Sequence, residues 1–218
     1  ANDTVDVLFL QEVDTNAKRS YHTNQMKLIG EFLPLYQGCF AKNYDVRYVP
    51  FPLLKPMGSV ISGMMTFSKL RMTEAWRYTY SASYSWPKKV FLLDRCLILS
   101  RVKLINGKTL VLINTHNSAF DDAAAIREKE ADVIKSIMLD EFNKGNYVVA
   151  GGDWNRNPPE FDMNRLTPVE AHRKWDPPLK KDFLPKEWTW VYQKDIPTNR
   201  DVNEAYRKGK TKTTIIDY

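Results

Sequence analysis

The stretch 147–158, Y-V-V-A-G-G-D-W-N-R-N-P, constrains the fold of this 218-residue chain more than any other. Its apolar run ends at two glycines, and an acid and an amide, Asp153 and Asn155, follow two residues apart. This order indicates a buried strand that gives way to a tight turn displaying polar groups. Taken alone, the pattern fits equally a β-turn capped by Asp153 and a corner where a ligand approaches glycine backbone.

The composition is ordinary for a globular protein that is long enough to bury a substantial core. The net charge of +6 and the pI near 9.2 mildly favour a phosphate-bearing partner. No apolar run reaches the length that a membrane helix needs, and the N-terminus does not resemble a signal peptide. We therefore expect a soluble domain, compatible with an exported or membrane-anchored parent if an upstream segment was removed. Neither the compartment nor the oligomeric state follows from the sequence.

The hydrophobic pattern predicts an α/β protein in which strands alternate with helices. Both cysteines, Cys39 and Cys96, lie in apolar stretches and are predicted to be free thiols. The predicted strands are 5–13, 38–49 (as strand, turn and strand), 59–67, an edge strand within 72–84, 90–104, 109–113, 148–150 and 213–218, and the predicted helices are 24–35 and 121–143. Asn106-Gly107 predicts a hairpin between the two strands that flank it.

Polar side chains come at or near the ends of several predicted strands, namely Glu12, His116, the pair Asp153 and Asn155, and Asp217. A carboxylate at the end of a buried strand is costly unless it is paired, hydrogen-bonded or metal-bound, although Glu12 could simply emerge into solvent. Ligands of open α/β sheets gather at the carboxyl ends of strands, so these groups are expected to converge. Carboxylates with an amide suit Mg²⁺ or Mn²⁺, and a lone histidine suits proton transfer or charge stabilisation. No zinc cluster, P-loop or nucleophile elbow occurs.

Four short motifs resemble those of the endonuclease/exonuclease/phosphatase superfamily, which includes enzymes similar to pancreatic deoxyribonuclease. They are Q-E-V-D at 11–14, N-T-H at 114–116, G-D-W-N at 152–155 and I-D-Y at 216–218. The resemblance implies a four-layer α/β sandwich in which two packed mixed β-sheets are flanked by helices. It also implies a metal-dependent hydrolase of phosphate esters.

The resemblance implies a role for each matching residue. Glu12 matches the metal-binding glutamate, accompanied by Gln11, and His116 matches a histidine that contacts the scissile phosphate and aids protonation of the leaving group. Asp153 matches the aspartate that orients or deprotonates the attacking water, Asn155 an asparagine that binds the phosphate, and Asp217 an aspartate that buttresses a second histidine. Asn114 and, as a looser match, Arg95 are expected to bind substrate.

The sequence also departs from the family pattern at both ends. Members of the family usually begin with a strand that ends in a metal-binding asparagine, and they end with Ser-Asp-His after the I-D-Y strand. Residues 1–218 are therefore expected to be a single domain that lacks its first and last segments, with low activity when made alone.

The predicted function is divalent-metal-dependent hydrolysis of phosphodiester bonds, with phosphomonoesters also considered, by attack of water at phosphorus. A nuclease is favoured, with nucleic acid as one candidate partner, and a sphingomyelinase-like phosphodiesterase and a phosphatase remain open. The alternative from another class is a catalytically incapable fragment, or a non-catalytic module that binds phosphate or nucleic acid.

Overall fold

The computed structural model describes residues 5–80, 91–119, 124–166 and 178–218. The chain divides into two compact units, one formed by 1–116 with 129–152 and the other by 117–128 with 153–218. Neither described helix has the length and hydropathy needed to cross a membrane. Cys39 and Cys96 are both free thiols, as predicted.

The first unit contains a three-stranded antiparallel sheet in the order β1-β3-β2. The strands are β1 (Val7–Ala17), β2 (Gln37–Val49) and β3 (Gly58–Ser68), and the helix α1 (Gln25–Phe32) lies between β1 and β2 in the chain. Asn24 caps α1 by accepting a hydrogen bond from the Lys27 amide. The helix packs Met26 and Ile29 against Val13, Met65 and Phe67, so α1 covers one face of this sheet.

A second, four-stranded sheet has the order β4-β5-β6-β7. Its strands are β4 (Met72–Thr79), β5 (Cys96–Lys103), β6 (Thr109–His116) and β7 (Tyr147–Asp153), and the helix α2 (Ala124–Asn143) connects β6 to β7. In α2, Ala131, Ile134 and Met138 are buried at helical spacing. Arg101 on β5 pairs with Glu141 near the end of α2, with Nη2 and Oε1 2.7 Å apart, which fastens the helix to the sheet.

The two sheets pack face to face through mixed clusters of apolar side chains. Ala41 and Met64 of the first sheet contact Cys96 and Ile98 of the second. A second cluster joins Val7 and Phe9 to Met72, Val102 and Leu112. This burial of both inner faces stabilises the sandwich. The predicted α/β class with two packed sheets and flanking helices is confirmed.

Two predicted strands differ from the observed ones because each contains a β-bulge. Strand β1 does not end at Val13 but continues to Ala17, and one extra residue is inserted between Leu10 and Val13 relative to β3. The segment predicted as strand, turn and strand is a single strand, β2, with Asn43 as the extra residue between Lys42 and Tyr44. A bulge bends a strand without ending its pairing, so polar residues inside it resemble a turn in the sequence.

The Asn106-Gly107 hairpin is confirmed between β5 and β6. Gly107 has a φ of +79°, and the Lys108 amide donates to the Asn106 side chain. The helix predicted from Asp121 is observed from Ala124 onwards, and Asp121 itself lies outside the described residues. Residues 81–84 of the predicted edge region also lie outside the described residues, as does Val90 at the start of the strand predicted for 90–104.

Among its described residues, the second unit has little regular structure apart from the start of α2 and the short pairing of β8 (Asn199–Arg200) with β9 (Thr213–Thr214). Its core is aromatic, and Trp154, which is 2% exposed, stacks on Tyr218 with ring centroids 5.5 Å apart. Phe183 and Trp190 contact Trp154 edge-on. The apolar strand predicted for 213–218 is reduced to β9 and one isolated bridge between Asp153 and Asp217.

Gly152 is required where β7 approaches β6. A Cβ at this position would lie 2.2 Å from the carbonyl oxygen and 2.9 Å from the amide nitrogen of Thr115, and its φ of +130° strains any other residue. We expect Gly152→Ala to lower the free energy of unfolding by about 3 kcal/mol or more, measured by urea titration.

The matched control is Gly30→Ala in α1, where an added Cβ meets open space. That variant should gain roughly 0.5–1 kcal/mol, because alanine favours a helix over glycine. A Gly152→Ala protein within 1 kcal/mol of wild type would contradict the proposed close approach of the backbones.

Candidate active site

Glu12 lies at the bulge of β1 in a conformation that presents its side chain to solvent. Its φ is +54°, which is uncommon for a residue with a Cβ, and its side chain is 54% exposed. Strained backbone of this kind concentrates at functional sites. Nη1 of Arg19 lies 3.3 Å from Oε2 of Glu12.

Arg19 is held in place by Asp14, whose side chain is only 4% exposed. Nε and Nη2 of Arg19 donate to the two carboxylate oxygens of Asp14 at 2.9 and 2.8 Å, which is the bidentate geometry that fixes a guanidinium. Burial raises the pKa of Asp14, but the hydrogen bonds and the charge of Arg19 oppose it, and the pKa is lowered. Asp14 is therefore the ionised anchor of Arg19.

Asn114 is fully buried in β6 and connects the two sheets. Its Oδ1 accepts a hydrogen bond of 2.7 Å from Gln11, and its Nδ2 lies 3.1 Å from the carbonyl oxygen of Met65 on β3. These contacts use both ends of the amide inside the protein. We therefore propose for Asn114 a role in holding the bulge of β1, in place of the substrate contact expected from the sequence.

His116 is the last residue of β6 and is 2% exposed. Burial lowers the pKa of His116 well below its usual range, and the positive charge of Arg95 lowers it further. Arg95 directly precedes β5 and is itself nearly buried. The two residues expected to contact phosphate thus lie within electrostatic reach of each other, with the imidazole neutral at pH 7.

In the second unit, Asp153 and Asn155 form a capped turn. The Asn155 amide donates to Oδ1 of Asp153 at 2.8 Å, and Asn155 has a φ of +49°. Nδ2 of Asn155 donates to the carbonyl oxygen of Asn117, and the Asn117 amide donates to the carbonyl oxygen of Asp153, each at 2.8 Å. The capped turn is thus present, and it holds the Asp153 carboxylate in a fixed direction.

Asp217 pairs with Asp153 through an isolated antiparallel bridge. The Asp217 amide donates to the Thr198 hydroxyl at 3.1 Å. Burial raises the pKa of the Asp217 carboxyl, and a hydrogen bond with Thr198 partly opposes this. The structure therefore brings Asp153, Asn155 and Asp217 together in the second unit, and places Arg95 within electrostatic reach of His116 in the first.

Glu12 provides a single carboxylate, which is the smallest set of protein ligands that a magnesium site commonly has. Among the described residues there is no group of three or more His, Cys, Asp or Glu side chains that could hold a metal ion. Mg²⁺ nevertheless keeps several waters and is commonly bound by one or two carboxylates together with substrate phosphates. The exposed Glu12 carboxylate meets that requirement, whereas Asp14 is buried in its pair with Arg19.

A family model described as the endonuclease/exonuclease/phosphatase family matches residues 1–204. The chain belongs to this family. The matched region contains Glu12, Arg95, Asn114, His116, Asp153 and Asn155 but not Asp217. The resemblance inferred from the four motifs is confirmed.

Several solved structures are similar to this chain, and the first of those that follow supports the same fold. An endonuclease/exonuclease/phosphatase protein from Beutenbergia cavernae is 22% identical, with a TM-score of 0.51 over 69% of this chain and 39% of its own. The human Nocturnin catalytic domain is 19% identical (TM-score 0.49, 70% of this chain and 52% of its own). TDP2 from Caenorhabditis elegans is also 19% identical (TM-score 0.49, 69% and 38%). The chain thus spans about half the Nocturnin domain and less of the others, and no curated protein matches it significantly.

Sequence reasoning overlooked the pair formed by Asp14 and Arg19. Asp14 stands in the Q-E-V-D motif, but the family resemblance implies roles only for Gln11 and Glu12. The sequence signal for this pair is the spacing of opposite charges. Arg19 follows Glu12 by seven residues and Asp14 by five, and it is the second of two adjacent basic residues. The intervening strand end and turn, which bring the arginine back onto the acids, could not be derived from spacing alone.

The pH dependence of stability tests the buried state of His116. As pH falls through about 6.5, the unfolded chain protonates this histidine and the folded chain does not, so the free energy of unfolding must fall. Between pH 7.5 and 5.5, one such histidine accounts for about 1.4 kcal/mol. We expect this component to be missing in His116→Gln when urea unfolding is compared at the two pH values.

The matched control is His22→Gln, which removes a histidine at an exposed position and leaves the core unchanged. Equal pH effects in wild type and His116→Gln would show that His116 is not held neutral in the folded protein.

Proposed function

We propose that this protein hydrolyses phosphodiester bonds by attack of water at phosphorus, with Mg²⁺ or Mn²⁺ as cofactor and a nucleic acid as the favoured substrate. The observation that carries the proposal is the family match over 1–204, which includes six of the seven expected site residues. Because the chain spans only part of its structural relatives, the activity is proposed for the protein to which these residues belong.

The capped turn suits the role proposed for Asp153. Phosphoryl transfer needs a positioned nucleophile and charge stabilisation, with little covalent chemistry by the protein. Asp153 is fixed by the Asn155 amide, so its carboxylate can orient a water molecule and accept its proton. We propose that Asn155 maintains this turn through its bond to Asn117 and contacts the phosphate beside it.

The neutral state of His116 defines what it can contribute. A buried imidazole whose pKa is lowered carries one N–H donor and no charge at pH 7. We propose that this donor binds a phosphate oxygen, with Arg95 supplying the positive charge nearby. Direct protonation of the leaving group by an imidazolium is less favoured, because the charged form is rare in this environment.

Glu12 is the residue proposed to hold the metal ion. When bound, a divalent cation would act as a Lewis acid and offset the negative charge that develops on the phosphate. The Asp217 carboxyl is half-buried, has a raised pKa and lies beside Thr198. These features suit a group that buttresses another side chain.

Hydrolysis assays on a protein that contains this chain, as wild type and as the Asp153→Asn variant, test the proposal. Asparagine retains an oxygen that can accept the hydrogen bond from the Asn155 amide, so the turn is preserved while the base is lost. We expect the rate to fall at least about 100-fold. The control Asp182→Asn, at an exposed position of the same unit, should retain wild-type activity.

The substrates are plasmid DNA, RNA, sphingomyelin and a phosphomonoester, each assayed with Mg²⁺, Mn²⁺ or EDTA. Activity that appears only on the phosphomonoester would reject the phosphodiesterase proposal. Binding of a phosphodiester without turnover by any protein containing this chain would favour the non-catalytic module instead.

A further inference from the structure

The cluster of Glu12, Asp14 and Arg19 contains a guanidinium that is firmly anchored yet partly exposed. Asp14 fixes Arg19 through two hydrogen bonds, and the third recorded bond runs to Glu12 at 3.3 Å. A guanidinium has five N–H donors, so these three bonds leave donor capacity on a side chain that is 36% exposed. An arginine that served only to neutralise buried Asp14 would not need to extend to an exposed carboxylate.

From this arrangement we propose that Arg19 binds a phosphate oxygen of the substrate next to Glu12. The inference rests on the proposed function and adds to it a substrate-binding residue that the family motifs do not assign. Arginine suits this role because its planar, rigid set of donors matches the oxygens of a phosphate. Anchoring by Asp14 fixes the guanidinium before substrate arrives, which lowers the entropy lost on binding.

The charges of the cluster make phosphate binding depend on the metal ion. Two carboxylates and one guanidinium leave one net negative charge, which repels phosphate. A divalent cation on Glu12 would change that to one net positive charge. The Arg19 charge also reaches the buried Tyr44, where it opposes the rise in pKa that burial causes, so its effect is not confined to its two ion-pair partners.

Calorimetric titration of the 218-residue chain with inorganic phosphate tests the assignment. Wild type should bind phosphate at least tenfold more tightly with Mg²⁺ present than without it. Arg19→Lys keeps a positive charge opposite Asp14 but loses the fork of donors, so its phosphate affinity with Mg²⁺ should fall at least tenfold. Its affinity for Mn²⁺ alone should change by less than threefold. Arg47→Lys, at an exposed position on β2, is the matched control and should behave as wild type.

A structural role for Arg19 would give a different result. Unchanged phosphate affinity in a folded Arg19→Lys protein would overturn the assignment, and so would equal losses of phosphate and Mn²⁺ affinity, which would mean that Arg19 only positions Glu12. If Arg19→Lys does not fold, the double variant Asp14→Leu with Arg19→Leu removes both partners of the pair and avoids an unpaired buried charge. That protein should also lose phosphate binding, and retained binding would overturn the proposal.

The same assays separate this inference from the proposed function. A wild-type protein containing this chain that neither hydrolyses phosphodiesters nor binds phosphate with Mg²⁺ would contradict both. Hydrolysis by wild type, with Arg19→Lys unaffected in phosphate affinity and KM, would contradict the role of Arg19 alone.

Discussion

The hydrogen bonds of Asn114 are the constraint on which the first unit depends. This buried amide extends from β6 in one sheet to Gln11 on β1 and to the backbone of β3 in the other. Each of its groups would be costly to bury without a partner, so the two sheets are held in one register at this point. Apolar packing alone would tolerate small shifts between the sheets, whereas this polar connection does not.

The position of Glu12 follows from that connection. Gln11, which donates to Asn114, is the residue directly before Glu12, and both lie where β1 carries its extra residue. With Gln11 directed inward, the bulge turns Glu12 outward at a positive φ. Arg19 and Asp14 then limit the directions open to the exposed carboxylate. A strained residue that is stabilised by its surroundings in this way is typical of a functional site.

Much of this architecture could be predicted from the sequence. The hairpin at Asn106-Gly107 and the helix α2 follow from turn chemistry and hydrophobic periodicity, which are local signals. The sandwich of two sheets was implied by the resemblance to the family. The bulges at Glu12 and Asn43 were missed, because an extra residue in a strand is defined by the partner strand and leaves no period of its own. The burial of Asn114 was missed for a similar reason, since its partners lie 49 and 103 residues away in sequence.

The candidate site residues likewise divide into those that local motifs predict and those whose roles depend on contacts between distant parts of the sequence. Motif order predicts roles for Glu12, His116 and Asp153, whereas the roles proposed for Asn114 and Arg19 depend on three-dimensional contacts. The lowered pKa of His116 likewise depends on burial and on Arg95, which the sequence places 21 residues away. Its neutral state therefore became apparent only from the folded arrangement.

The central claim is that the bulge of β1 presents Glu12 as the metal ligand, while Asp14 remains occupied by Arg19. Anomalous diffraction from a crystal of the protein soaked in Mn²⁺ tests this most directly. We expect a manganese peak at coordination distance, about 2.1 Å, from a carboxylate oxygen of Glu12, with the Asp14–Arg19 pair intact. A peak on Asp14 with Arg19 displaced, or manganese bound only at carboxylates elsewhere, would contradict it.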